Sequence, residues 1–163
     1  MANRLSLPSS IRQVVFALLF LAAHVGTALV VLRFMSGNGI VATLWPPAGI
    51  ALAGLMLGGL RYAPLIFVSA SLVNWLIGGP WYIAMLLGGV NLAEALLGYW
   101  LLSFVRPIQL QLNRARDFFR LFLYAGFLSP IPSAMFGALT LKFAALTGQT
   151  WLQNFQFWWM GDS

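Results

Sequence analysis

The sequence has no cysteine, one histidine and three acidic residues among 163, and only 7% of it is charged. Without cysteine there is neither thiol catalysis nor a disulfide scaffold. A soluble domain carries about 25% charged residues, so too little charge is present here to coat an exterior in water. The scarcity of acids and histidine also leaves little for soluble-style catalysis. There is no GxGxxG before a helix, no Gly-rich loop ending in GK[ST], no HExxH and no GxSxG. An intramembrane aspartyl protease needs paired aspartates, and the candidates are Asp117, expected in the cytoplasm, and Asp162. The chain is read as not itself an enzyme, with no catalytic residue and no metal site.

What is present is apolar: 61% hydrophobic residues, seven Trp and thirteen Phe, with a mean hydropathy of +0.87. Ordinary domains are about 45–50% apolar, so the solvent for most of this chain is lipid. The net charge of +6 is not a nucleic-acid signal, because no basic stripe crosses a polar domain. Bases at the ends of membrane spans explain it.

Runs of about 20 apolar residues cross a bilayer. They fall at residues 11–34, 40–60, 62–77, 82–104 and 118–146, the last interrupted by Pro130 and Pro132. The first run is too long for a signal-peptide core and is read as a retained span. A polar patch over residues 147–154 precedes a restart at Phe155 that looks like the opening of a sixth span. The expectation is therefore an all-α integral membrane protein: a polytopic helical bundle with five full spans plus the start of a sixth, C-terminally incomplete and lacking a soluble output domain. Arg4, Arg12, Arg61, Arg106, Arg114, Arg116 and Arg120 lie on one side, and Arg33 and Lys142 on the other. That bias places the N-terminus in the cytoplasm.

Ionisable groups inside a membrane are costly and serve as functional hypotheses. Glu94 lies near the middle of the fourth span, one turn after Asn91 on the same face. It can act as a proton site, a ligand acceptor or an interhelical clamp. Asn74 and His24 are further intramembrane polar groups. His24 is a bundle hydrogen-bond partner or, less favoured, a haem ligand, and no other cofactor is expected. Asp162 follows Trp158 by one turn. Trp45 is expected at the outer interface, before a stiff helix start at Pro46, Pro47 and Gly49. Pro130 and Pro132 should kink or break the fifth span. A polar cavity open to the exterior is expected to collect Glu94, Asn91, Asn74, Asp162 and His24, with Trp45 and Trp158 as walls. Gly54 and Gly58 form a small-xxx-small face suited to packing within the chain or to a dimer seam.

The order of the segments Leu44-Trp45-Pro46-Pro47-Ala48-Gly49, Leu72-Val73-Asn74, Asn91-Leu92-Ala93-Glu94, Leu112-Asn113-Arg114-Ala115-Arg116-Asp117 and Trp158-Trp159-Met160-Gly161-Asp162 resembles the bacterial membrane-associated sensor domain, MASE, of the first type. That resemblance implies an inner-membrane sensory bundle of about eight helices. It also implies a cytoplasmic output module: a GGDEF or EAL enzyme of cyclic di-GMP, often through PAS domains, or a histidine kinase. The family-typical positions carried over are Asn74, Asn91, Glu94 and Asp162, with Trp45, Pro46 and Pro47. The leading reading is a sensory input domain that takes an unknown small ligand or lipid, sits in the lipid bilayer and dimerises through its output domain. The alternatives are a small-solute transporter or a passive anchor and dimerisation module.

Overall fold

The computed structural model describes residues 9–34, 44–105, 107–109 and 112–163. Arg4, Arg106 and the expected start of the second span at residues 40–43 lie outside the described residues. Six helices account for nearly all of the described chain: α1 (Ser9–Phe34), α2 (Pro46–Gly58), α3 (Leu60–Leu76), α4 (Trp81–Val105), α5 (Ala115–Phe143) and α6 (Trp151–Asp162). At about 1.5 Å per residue, helices of 26, 25 and 29 residues (α1, α4 and α5) exceed the roughly 30 Å hydrocarbon layer. Their outward faces carry large apolar side chains such as Leu18, Leu19, Trp81, Phe119 and Phe143. Such a surface is the polar-out rule inverted, as lipid requires.

Helix α4 is the hub and touches α2, α3 and α5; α1 covers α2 and α3, and α6 packs on α5. One cluster joins Phe20, Ala51, Leu55, Ile66 and Ala95 from four helices. The Gly54/Gly58 face is filled from within the chain. A Cβ on Gly54 would meet the Phe20 ring at 2.5 Å, and Gly58 lies against Tyr62 and Phe16.

Three segments depart from expectation. The second helix begins only at Pro46 and has 13 residues, about 20 Å and too short to cross a bilayer unaided. Two prolines in its first turn lack amide donors that a helix start leaves unused anyway. The fifth helix is not broken at Pro130 and Pro132. It runs on from Ala115 to Phe143, because the stretch Leu121–Leu128 widens to i→i+5 bonding just upstream. The Ser129 amide still bonds the Tyr124 carbonyl at 3.0 Å. In that pattern the missing Pro130 amide would orphan the Ala125 carbonyl, and the Ser129 hydroxyl takes it at 2.7 Å. Finally, α6 starts at Trp151 rather than Phe155, because Thr150 and Gln153 form a reciprocal capping box.

Helix α5 ends at a non-glycine left-handed residue, Ala145 (φ 52°), beyond which the Leu146 amide bonds back to the Leu141 carbonyl at 3.2 Å. A Cβ in that conformation costs about 1–2 kcal/mol. Ala145→Gly is expected to stabilise the chain by about 1 kcal/mol, as read from its midpoint of unfolding in denaturing detergent; an unchanged or lower midpoint would refute this.

Candidate functional site

Glu94 is buried in the middle of α4. Its carboxyl meets the Ser133 hydroxyl of α5, which also lies 2.9 Å from the Pro130 carbonyl. On the other side the Glu94 carboxyl faces that of Asp162 on α6, and Trp158 lies beside Asp162. Asp162 Oδ2 is buried and has no partner. Two carboxyl groups from separate helices thus meet in the bundle interior. Trp158 is held there because Gly137 leaves room for its ring, whose atoms lie 2.6–2.7 Å from where a Cβ would stand.

Glu94 borders two cavities. One, of about 490 Å³, lies between α2, α4 and α5 and includes Glu94, Asp162, Ala48, Gly49 and Ser129. It extends to Ile108, Leu112 and Phe118, toward the Arg114 end of the bundle. The other, of about 470 Å³, lies between α4 and α5 and runs from Glu94 and Ser133 to Met85 and Thr140. The Glu94–Ser133 contact stands between the two.

Trp45 packs with the Ala28, Leu32 and Val73 cluster, and its amide donates to the Gly161 carbonyl at 2.7 Å. Gly161 is ten residues into α6, about 15 Å along the axis from Trp151. The Trp45 indole reaches Asn91 Oδ1 at 3.4 Å, and Asn91 Nδ2 donates to its own helix at the Leu87 carbonyl, 2.8 Å away. The segment before α2 therefore ties α4 to α6 beside the acid pair. Pro46 and Pro47 frame this start, Pro47 being buried.

The single polar cavity expected from depth alone is not formed. Asn74 bonds the Ala70 carbonyl at 2.9 Å and lines a separate space of about 90 Å³ with Gly78, Gly79 and Leu141. His24 is buried and stacked on Phe20, with Nδ1 unpartnered, and it borders neither cavity at Glu94. Among the described residues no three His, Asp or Glu side chains come together to hold a metal. Sequence reasoning named Pro130 and Pro132 as a kink or break, passive or lining a cavity, and missed Ser133, although Ser133 is four residues from Ser129 and so shares its face. It placed Asp117 on the cytoplasmic side and gave it no role. Asp117 is buried, with Arg116 4.0 Å away and Oδ2 unpartnered.

Residues 15–163 match the MASE1 family. No curated protein and no solved structure matches the chain.

Proposed function

Given that the chain belongs to MASE1, a family of non-catalytic membrane sensor domains at the input of signalling proteins, we propose that the Glu94–Asp162 pair is its sensing centre. The observation that carries this is the junction itself: Glu94 of α4 meets Ser133 of α5 and Asp162 of α6. Next to Asp162, Gly161 holds the lead-in to α2. A stimulus that alters this junction biases how four helices pack, and a bundle with two packings passes that bias to whatever follows it. The bias of seven bases over two supports a cytoplasmic N-terminus. In this reading the protein resides in the bacterial inner membrane, crosses it five times with α6 opening a sixth crossing, and acts as a homodimer. Its output module is a GGDEF or EAL enzyme or a histidine kinase.

The test uses the full-length protein in its native membrane, with cyclic di-GMP or autophosphorylation as the readout. Glu94→Gln and Asp162→Asn keep shape but change the junction's charge and donors. A differential of about 1.4 kcal/mol between packings shifts the basal output about tenfold. Wild-type output from both variants, at wild-type membrane levels, would overturn the proposal.

A second reading, a small-solute permease, is favoured by the cavities on both sides of the Glu94–Ser133 contact and by the short helix α2 that opens on one of them, as in transporters with discontinuous helices. Uptake into proteoliposomes that is abolished in Glu94→Gln would establish it in place of sensing.

A further inference from the structure

We propose that the 490 Å³ cavity between α2, α4 and α5 is a binding site for an organic monocation, with an ammonium head at Glu94 and Asp162 and an apolar body along α2 and α5. The inference rests on the carboxyl pair being the sensing centre and adds what that centre takes.

The volume lies within the range of small-molecule sites, about 300–1,000 Å³. Its walls are apolar, with Leu52, Met56, Leu121 and Phe122 among them. Besides the two carboxyls, the polar side chains on the lining are Ser129 and Ser163. Each already donates to a carbonyl of its own helix, at 2.7 and 2.6 Å. Among the described residues, no lysine or arginine lines the cavity.

What remains is an acid pair with an unused oxygen: Asp162 Oδ2 is buried and unpartnered, and a carboxyl that yields its proton to an amine becomes an acceptor only. A buried acceptor left in this state is costly. An anion is refused by two carboxyls, and a polyol finds no further polar wall. An ammonium offers three donors and one positive charge, and its hydrocarbon body matches the rest of the lining.

The experiment uses the full-length protein in lipid nanodiscs and three probes with one body: phenethylamine, phenylacetate and phenethyl alcohol. Thermal unfolding is followed as each is titrated, since a ligand of the folded state raises Tm in a saturable way. The amine is expected to saturate at a concentration at least tenfold below any effect of the alcohol, and phenylacetate to give no saturable shift. Glu94→Gln and Asp162→Asn should each weaken amine binding tenfold or more. Ala53→Trp, at an exposed position on the cavity wall, should remove binding while the unliganded protein stays folded, and it decides the matter if a carboxyl variant does not fold.

Equal shifts with amine and alcohol, amine binding that survives both carboxyl changes, or binding that survives Ala53→Trp would each overturn the proposal. If the amine fails to bind while output still depends on Glu94, the cation is lost and the sensing centre stands. If the amine binds while output ignores Glu94→Gln, the site stands and the sensing reading is lost.

Discussion

Gly88→Leu is expected to pull α3 and α4 apart and destabilise the chain by about 3 kcal/mol, the upper end of what overpacking a tight interior costs. Gly88 is buried where the two helices cross. A Cβ placed on it would meet the Phe67 carbonyl oxygen at 2.9 Å and the Ser71 hydroxyl closer still. A side chain can swing aside, but a backbone carbonyl inside a helix cannot, so α3 and α4 must separate along their shared length. In lipid, no hydrophobic driving force opposes or repairs that separation, because the tails are as apolar as leucine. The helices are held by close packing, and each atom pair lost forfeits about 0.1–0.2 kcal/mol. The neighbouring Gly89 has nothing within 4 Å of its would-be Cβ, so Gly89→Leu should change stability by no more than about 0.5 kcal/mol. Unfolding in a denaturing detergent series measures both, and equal effects at the two positions would show that the crossing is not set by Gly88.

The membrane makes part of this fold easy to read from sequence. Lipid demands about 20 apolar residues per crossing, and residues 82–104 emerge as Trp81–Val105 and 62–77 as Leu60–Leu76. Hydropathy cannot say where a helix begins inside an apolar run, and so it missed the late start of α2 at Pro46. The prolines of α5 were read locally, as breakers. Their effect is absorbed upstream by the i→i+5 turns and by the Ser129 hydroxyl, an accommodation that only the carbonyl-by-carbonyl geometry reveals.

The site shows the same division. Depth along each span sorts polar residues by height but not by the direction they face around the bundle. The i,i+3 spacing joined Asn91 to Glu94 as partners, yet Asn91 turns to Trp45 and to its own helix. Glu94 instead meets Ser133 and Asp162 from distant parts of the chain. The list of intramembrane polar groups was legible, but their grouping was not. Asn74 and His24 stand at comparable depths to other candidates and face elsewhere.

The carboxyl pair separates stability from function in a way that a double-mutant cycle can expose. Glu94→Leu alone leaves Asp162 facing an apolar wall beside Trp158, and leaves Ser133 without its acceptor on α4. Stranding buried polar groups costs about 1–3 kcal/mol, and Asp162→Leu leaves Glu94 with Ser133 alone. With both replaced, the cavity is apolar throughout and neither carboxyl is left without the other. Exchanging both members of a buried polar contact for apolar groups of similar size approaches neutrality. Glu94→Leu/Asp162→Leu is therefore expected to cost less than the sum of the single changes by about 1 kcal/mol or more, the scale on which contacting residues couple. The unfolding midpoints of the four proteins give this coupling directly, and strict additivity would show that the two carboxyls do not interact. Output should behave oppositely: the double variant, although the more stable relative to expectation, should be as unresponsive as either single one. A pair that contributes little to folding and is still required for output is retained for the signal it receives, which is the distinction between a sensing centre and an interhelical clamp.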